Sequence, residues 1–91
     1  PEGTPIRAAM NGTVAFVGWS NVFGNYIIVN HPNGYQTLYG HMASSHVKKG
    51  QNVTQATVIG LVGSTGYSTG AHLHFTVYKN GRLVNPSSVL K

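Results

Sequence analysis

The chain has no cysteine, one acidic residue among 91, and no apolar run near the ~20 residues that a membrane-spanning helix requires. Without cysteine there is no disulfide scaffold, no thiolate zinc site and no cysteine nucleophile. The lone acid, Glu2, removes paired-carboxylate chemistry of the glycosidase and aspartic-protease kinds. It also leaves a Ser-His-Asp triad without its acid. The first residues, Pro1-Glu2-Gly3-Thr4-Pro5, have neither the charged start nor the apolar stretch of a signal peptide. No linker or low-complexity tract divides the chain, which reads as one domain over residues 1–91.

Against these scarcities stand six Lys and Arg, five His and twelve Gly, with a net charge of +5 when the histidines are neutral. Such a chain is drawn to polyanions: nucleic acid, anionic lipid or an acidic cell-wall polymer. Nucleic acid fits least, because Arg7, Lys48, Lys49, Lys79, Arg82 and Lys91 are scattered rather than interleaved with aromatics. Histidine, the commonest metal ligand and general base, is the chemical resource in surplus.

Short β-branched runs and glycines dominate, and no segment of ten residues keeps a helical period. The pattern predicts strands at about 6–10, 13–17, 26–30, 36–41, 58–62 and 72–78, with a short one at 82–84. Asn11-Gly12, His31-Pro32-Asn33-Gly34 and Lys79-Asn80-Gly81 carry hairpin-turn chemistry. Pro86–Leu90 suits one closing helical turn. Val47 to Val53 reads as a tight turn over a buried strand. The expected fold class is all-β, an antiparallel sandwich or barrel-like core with a peptide-binding groove.

His72-Leu73-His74-Phe75 is the most informative tetrapeptide. On a strand, His72 and His74 share one face, ~7 Å apart, while Leu73 and Phe75 point to the core. The pair can share a metal or split the roles of ligand and base. His41, at the end of a predicted strand, can meet it across a sheet. His31, before a proline in a turn, and His46, in a polar loop, read as solvated bystanders. The segment from Gly63 to Ala71 is longer than a hairpin needs. It suits a groove wall in which Tyr67, Ser68 and Thr69 offer hydrogen bonds to an extended peptide. It lacks the Gly-Lys-Ser/Thr ending of a phosphate loop.

Gly3-Thr4-Pro5-Ile6, Asn11-Gly12-Thr13-Val14, Gly24-Asn25-Tyr26, Tyr39-Gly40-His41-Met42, Gly63-Ser64-Thr65-Gly66, Ser68-Thr69-Gly70, His72-Leu73-His74-Phe75 and Asn85-Pro86 follow in one order along the chain. In that order and content the sequence resembles the lysostaphin-type zinc endopeptidases, which cut peptides in bacterial peptidoglycan. The resemblance implies Zn2+ as cofactor, with His74 as a ligand and with His41 and His72 as catalytic histidines flanking the metal-bound water. It implies that Asn25, with Tyr67, Ser68 and Thr69, contacts the stem peptide or cross-bridge. It also implies action outside the cell or in the cell wall, in a bacterium or on a phage tail. The family's remaining ligands, a His and an Asp, come from a segment just before the Gly-Thr-Pro match. The expectation is therefore a partial catalytic domain, inactive alone and completed by other segments of a longer polypeptide. Two other readings stay open: a non-catalytic family member that binds wall peptide or serves as a structural or regulatory module, and a lipoyl- or biotinyl-carrier domain suggested by the valine-glycine strands around Lys48-Lys49-Gly50.

Overall fold

A computed structural model describes residues 3–63 and 73–86. The described residues form eight strands: β1 (Pro5–Arg7), β2 (Gly12–Ser20), β3 (Gly24–Asn30), β4 (Tyr35–Ser45), β5 (Asn52–Val53), β6 (Val58–Val62), β7 (His74–Lys79) and β8 (Arg82–Val84). A 3-10 turn, Pro32–Gly34, separates β3 from β4. All strand pairings are antiparallel, and the strands form one sheet in the order β1-β6-β4-β3-β2-β5, with β7 and β8 attached to β4. The sheet curls into a half-barrel, the barrel-like form of the expected all-β class.

The curl wraps a core of Ile6, Val14, Ile27, Val29, Tyr39, Met42, Val53, Ile59 and Val62, drawn from six strands. Val47 and Val53 are both buried, and the turn between them is tied to β2: Gly50 donates to the Val14 carbonyl (2.7 Å) and Val14 donates to that of Gln51 (2.9 Å). Lys79-Asn80-Gly81 makes the expected tight hairpin, with Asn80 and Gly81 both left-handed at φ 52° and 82°. Asn11-Gly12 does not make one, because β1 pairs with β6 and not with β2. Glycine stands at position 12 for a different reason: a Cβ there would lie 2.1 Å from the Asn30 carbonyl oxygen.

Three strands run further than the sequence pattern suggests, β3 by beginning at Gly24. β2 continues through Gly18 to Ser20, because the Phe16 ring covers the glycine and β3 pairs with it throughout. β4 continues through Gly40-His41 to Ser45 by changing partners. Its residues 35–40 pair with β7, and residues 42–45 pair with β6 on the same edge. β1 is shorter than expected, ending at Arg7, and β7 is described from His74. Apart from Pro86, the expected closing turn lies outside the described residues.

Candidate functional site

The change of partner in β4 is what builds the site. Met42 stands opposite Asn25 while Tyr39 stands opposite Ile27, so β4 has one residue more than β3 across this stretch. The extra residue makes a bulge at Gly40-His41, and His41 takes a left-handed backbone, φ 57°. Strict alternation would send His41 inward with Tyr39. The bulge lets Tyr39 and Met42 both face the core, three residues apart, and turns the His41 imidazole to the opposite face. A non-glycine residue held left-handed is uncommon, and His is among the types that tolerate it. Backbone bonds on both sides hold it: His41 donates to the Phe23 carbonyl (2.5 Å), and Gly63 donates to the His41 carbonyl (3.0 Å).

His74 opens β7 directly opposite Gly40. Glycine there brings the two strands' groups close, since a Cβ at 40 would meet the His74 and Phe23 Cβ atoms at 3.4 Å. The His41 and His74 rings stand edge-to-face, 5.9 Å between centroids, with His41 only 5% exposed. Thr76, two residues along the same face, has its hydroxyl 3.0 Å from His74 Nε2. Phe23 lies against the other side of His74, 5.1 Å between centroids. Leu73 and Phe75 pack against the core, as alternation requires.

Asn25 donates from its side-chain amide to the carbonyls of Met42 (3.1 Å) and Ala43 (3.4 Å), so it braces β4 just past the bulge. His72, Tyr67, Ser68 and Thr69 lie outside the described residues. His46 is exposed; its ring Nε2 lies 3.1 Å from the Ser44 hydroxyl, and its backbone N–H donates to the Ile59 carbonyl (2.8 Å). His31 corrects the sequence reading. It is buried, 8% exposed, and its ring spans two elements. Nδ1 donates to the Asn11 carbonyl (2.8 Å), and Nε2 meets the Thr37 hydroxyl at 2.7 Å. Thr37 in turn donates to the Tyr39 hydroxyl (2.7 Å), which also accepts from the Ala9 N–H (2.9 Å). Pro32 places His31 in a turn, but that turn folds back over the start of β2, where a polar ring is needed to satisfy buried groups. Burial, only partly offset by the bonds from Thr37 and Ala9, raises the Tyr39 phenol above its ordinary pKa.

Phe23 and Thr76 were not legible as site residues. Phe23 sits in the turn between β2 and β3, and only the β4 bulge reveals that this turn backs His41 and His74. Thr76 is detectable in principle, as the next same-face position after His74 on a strand.

A catalytic zinc takes three protein ligands and keeps one position open. Among the described residues no three His, Cys, Asp or Glu side chains are grouped to hold a metal. The His41–His74 pair is thus short of a complete set, and the described residues do not by themselves fit the ion.

Residues 1–86 match the family model of Peptidase family M23. The chain is 47% identical over 89 residues to the DD-carboxypeptidase/endopeptidase Mpg of Neisseria meningitidis serogroup B, covering 98% of this chain and 20% of that protein. It is 42% identical over 85 residues to the peptidoglycan DD-endopeptidase ShyA of Vibrio cholerae, covering 93% of this chain and 20% of that protein. Among solved structures, the catalytic domain of lysostaphin from Staphylococcus simulans matches at TM-score 0.90 and 36% identity, over 99% of this chain and 72% of that one. A zinc-containing peptidase from Vibrio cholerae matches at TM-score 0.89 and 40% identity, over 92% and 26%. The chain spans about a fifth of the length of these curated relatives. A curled antiparallel sheet with an imidazole pair at its bulge, matched in sequence over residues 1–86 and in fold to solved peptidases, belongs to peptidase family M23.

Proposed function

We propose that the chain is the larger part of the catalytic domain of a zinc-dependent endopeptidase that hydrolyses peptide bonds in bacterial peptidoglycan. The observation that carries the reading is the β4 bulge, a left-handed histidine turned out of the core to meet a second histidine at 5.9 Å. Bulges and uncommon backbone conformations are retained where they aim a side chain. The names of the Neisseria and Vibrio relatives point to the same chemistry.

In this reading His74 is one zinc ligand, and the remaining donors come from outside the described residues. Zinc, when bound, supplies a Lewis acid for the scissile carbonyl and an acidified water. His41 and His72 hold or move the proton of the attacking water and stabilise the developing oxyanion. His41 is suited to the task because its backbone is fixed from both sides and Asn25 braces the strand beyond it. Asn25, Tyr67, Ser68 and Thr69 contact the stem peptide or cross-bridge, and the site of action is the cell wall. A phage-tail setting is compatible with the same chemistry.

The test is metal content beside turnover of purified peptidoglycan by the full-length polypeptide. His74→Ala loses both. His41→Ala and His72→Ala keep the metal and lose about 10²–10⁴-fold in rate. Full turnover by His41→Ala, or loss of metal by the His72 variant and its retention by the His74 variant, refutes the assignment. The 91-residue chain alone shows no submicromolar 1:1 zinc binding by calorimetry; such binding would mean that His41, His72 and His74 form a complete site. A second reading, a non-catalytic module binding wall peptide, draws on the missing third donor among the described residues. It predicts a full-length protein without stoichiometric metal.

A further inference from the structure

Phe16 is exposed at 39% in the middle of a paired strand, where a polar residue would suit water better. Its ring lies across Gly18: a Cβ at position 18 would sit 2.6 and 2.7 Å from Phe16 Cε2 and Cζ. Glycine leaves room for the ring to lie over the strand, where it stays partly open to solvent. From Phe16 a row of rings leads to the histidines. Phe16 to Tyr26 is 5.1 Å, Tyr26 to Phe23 is 5.6 Å, and Phe23 to His74 is 5.1 Å, all tilted contacts between centroids.

We propose that Phe16, Tyr26 and Phe23 form a stacking platform for the glycan strand of the wall polymer, leading it to the histidine pair. The proposal rests on the peptidoglycan reading above. Three observations select a sugar over other occupants. The row carries no Lys, Arg, Asp or Glu, and Lys79, which lies 4.4 Å from the Tyr35 ring centroid, sits outside it. The row itself therefore offers a charged polymer no ion-pair partner. An exposed aromatic ring can stack on the flat C–H face of a pyranose, and the Tyr26 phenol, with its apolar body and polar tip, suits a ligand bearing hydroxyl and amide groups. The platform is also continuous with the site, and in peptidoglycan the peptide to be cut is covalently joined to the sugar. An enzyme that holds the peptide at the histidines has glycan alongside.

The experiment measures equilibrium binding of the full-length protein to two probes: peptide-free strands of alternating N-acetylhexosamines, and the free stem peptide. Phe16→Ala weakens glycan binding about tenfold or more, the loss of one good aromatic contact. Phe16→Trp retains it, and Gly18→Val, which lifts the ring off the strand, behaves like Phe16→Ala. Stem-peptide binding stays constant across the series, and melting curves verify that each variant is folded. On intact wall material Phe16→Ala raises KM and leaves kcat unchanged. Glycan binding that is absent in the wild type, or unchanged by both Phe16→Ala and Gly18→Val, overturns the proposal. So does a loss of stem-peptide binding in its place, which would assign the row to peptide. A protein that binds glycan through Phe16 but cleaves nothing keeps the platform and refutes the peptidase reading, so the two failures are distinguishable.

Discussion

Replacing Tyr39 by Phe isolates one hydroxyl beneath the site. The ring stays, still packed against Phe75 at 5.3 Å, so no cavity opens and the cost is one of hydrogen bonding alone. The side chain is 1% exposed, so water does not take the hydroxyl's place. Thr37 loses an acceptor but can turn its proton to His31 Nε2, 2.7 Å away. The Ala9 N–H has its bond to Tyr39 and, in Tyr39→Phe, becomes the orphan. One orphaned donor in a part-buried setting costs about 1–3 kcal/mol. For a domain of this size each kcal/mol moves the midpoint by about 4–8 °C, so Tm falls by about 4–24 °C, with about 10 °C central.

The alkaline limb supplies a second readout. Burial raises the Tyr39 phenol above its unfolded value of about 10, so its contribution is fully present below that pH. It is lost as pH climbs towards the folded value, because the unfolded chain ionises first. Tyr39→Phe lacks this loss, and the gap between wild type and variant narrows above pH ~10. Thermal melts by circular dichroism at neutral and alkaline pH read both quantities. A Tm drop under about 2 °C at neutral pH refutes the orphan argument, and a gap that stays constant through the alkaline range refutes the burial argument.

Two further outcomes follow from the same packing. His31→Ala strips the Asn11 carbonyl and the Thr37 hydroxyl of a shared partner and costs about 2–4 kcal/mol, whereas His46→Ala stays within about 0.5; comparable urea midpoints for the two would restore His31 to the surface. Gly60→Ala puts a methyl 2.1 Å from Met42 Cε and 2.3 Å from the Ser44 carbonyl oxygen, forcing β6 away from β4. It destabilises by more than about 2 kcal/mol, and a crystal structure with unshifted strands would contradict this.

Most strands, and the meeting of His41 with His74 across the sheet, were legible because alternation and turn residues are local. What escaped was set by contacts distant in sequence. The β4 bulge follows from β3, β6 and β7 all meeting one strand, and nothing in Tyr39-Gly40-His41-Met42 taken alone breaks the period. The same residues, read for resemblance, did mark His41 as important. His31 was misread because His-Pro-Asn-Gly is turn chemistry, and turn chemistry says nothing of what the turn covers. The expected strand stopped at Val17, short of Gly18, because the ring that shields the glycine comes from the same strand's own Phe16.

The mount of His41 has a further consequence. Its main-chain bonds go to Phe23 on one side and Gly63 on the other, both outside the stretch 64–72 that separates β6 from β7. The residue's backbone is thus anchored at the turn before β3 and just past the end of β6, each far from it in sequence. A change at either anchor reaches the imidazole through the main chain, with no side-chain contact needed to carry it. Position 63 is the sharper lever of the two, because a Cβ there would lie 2.4 Å from the Ala43 backbone nitrogen.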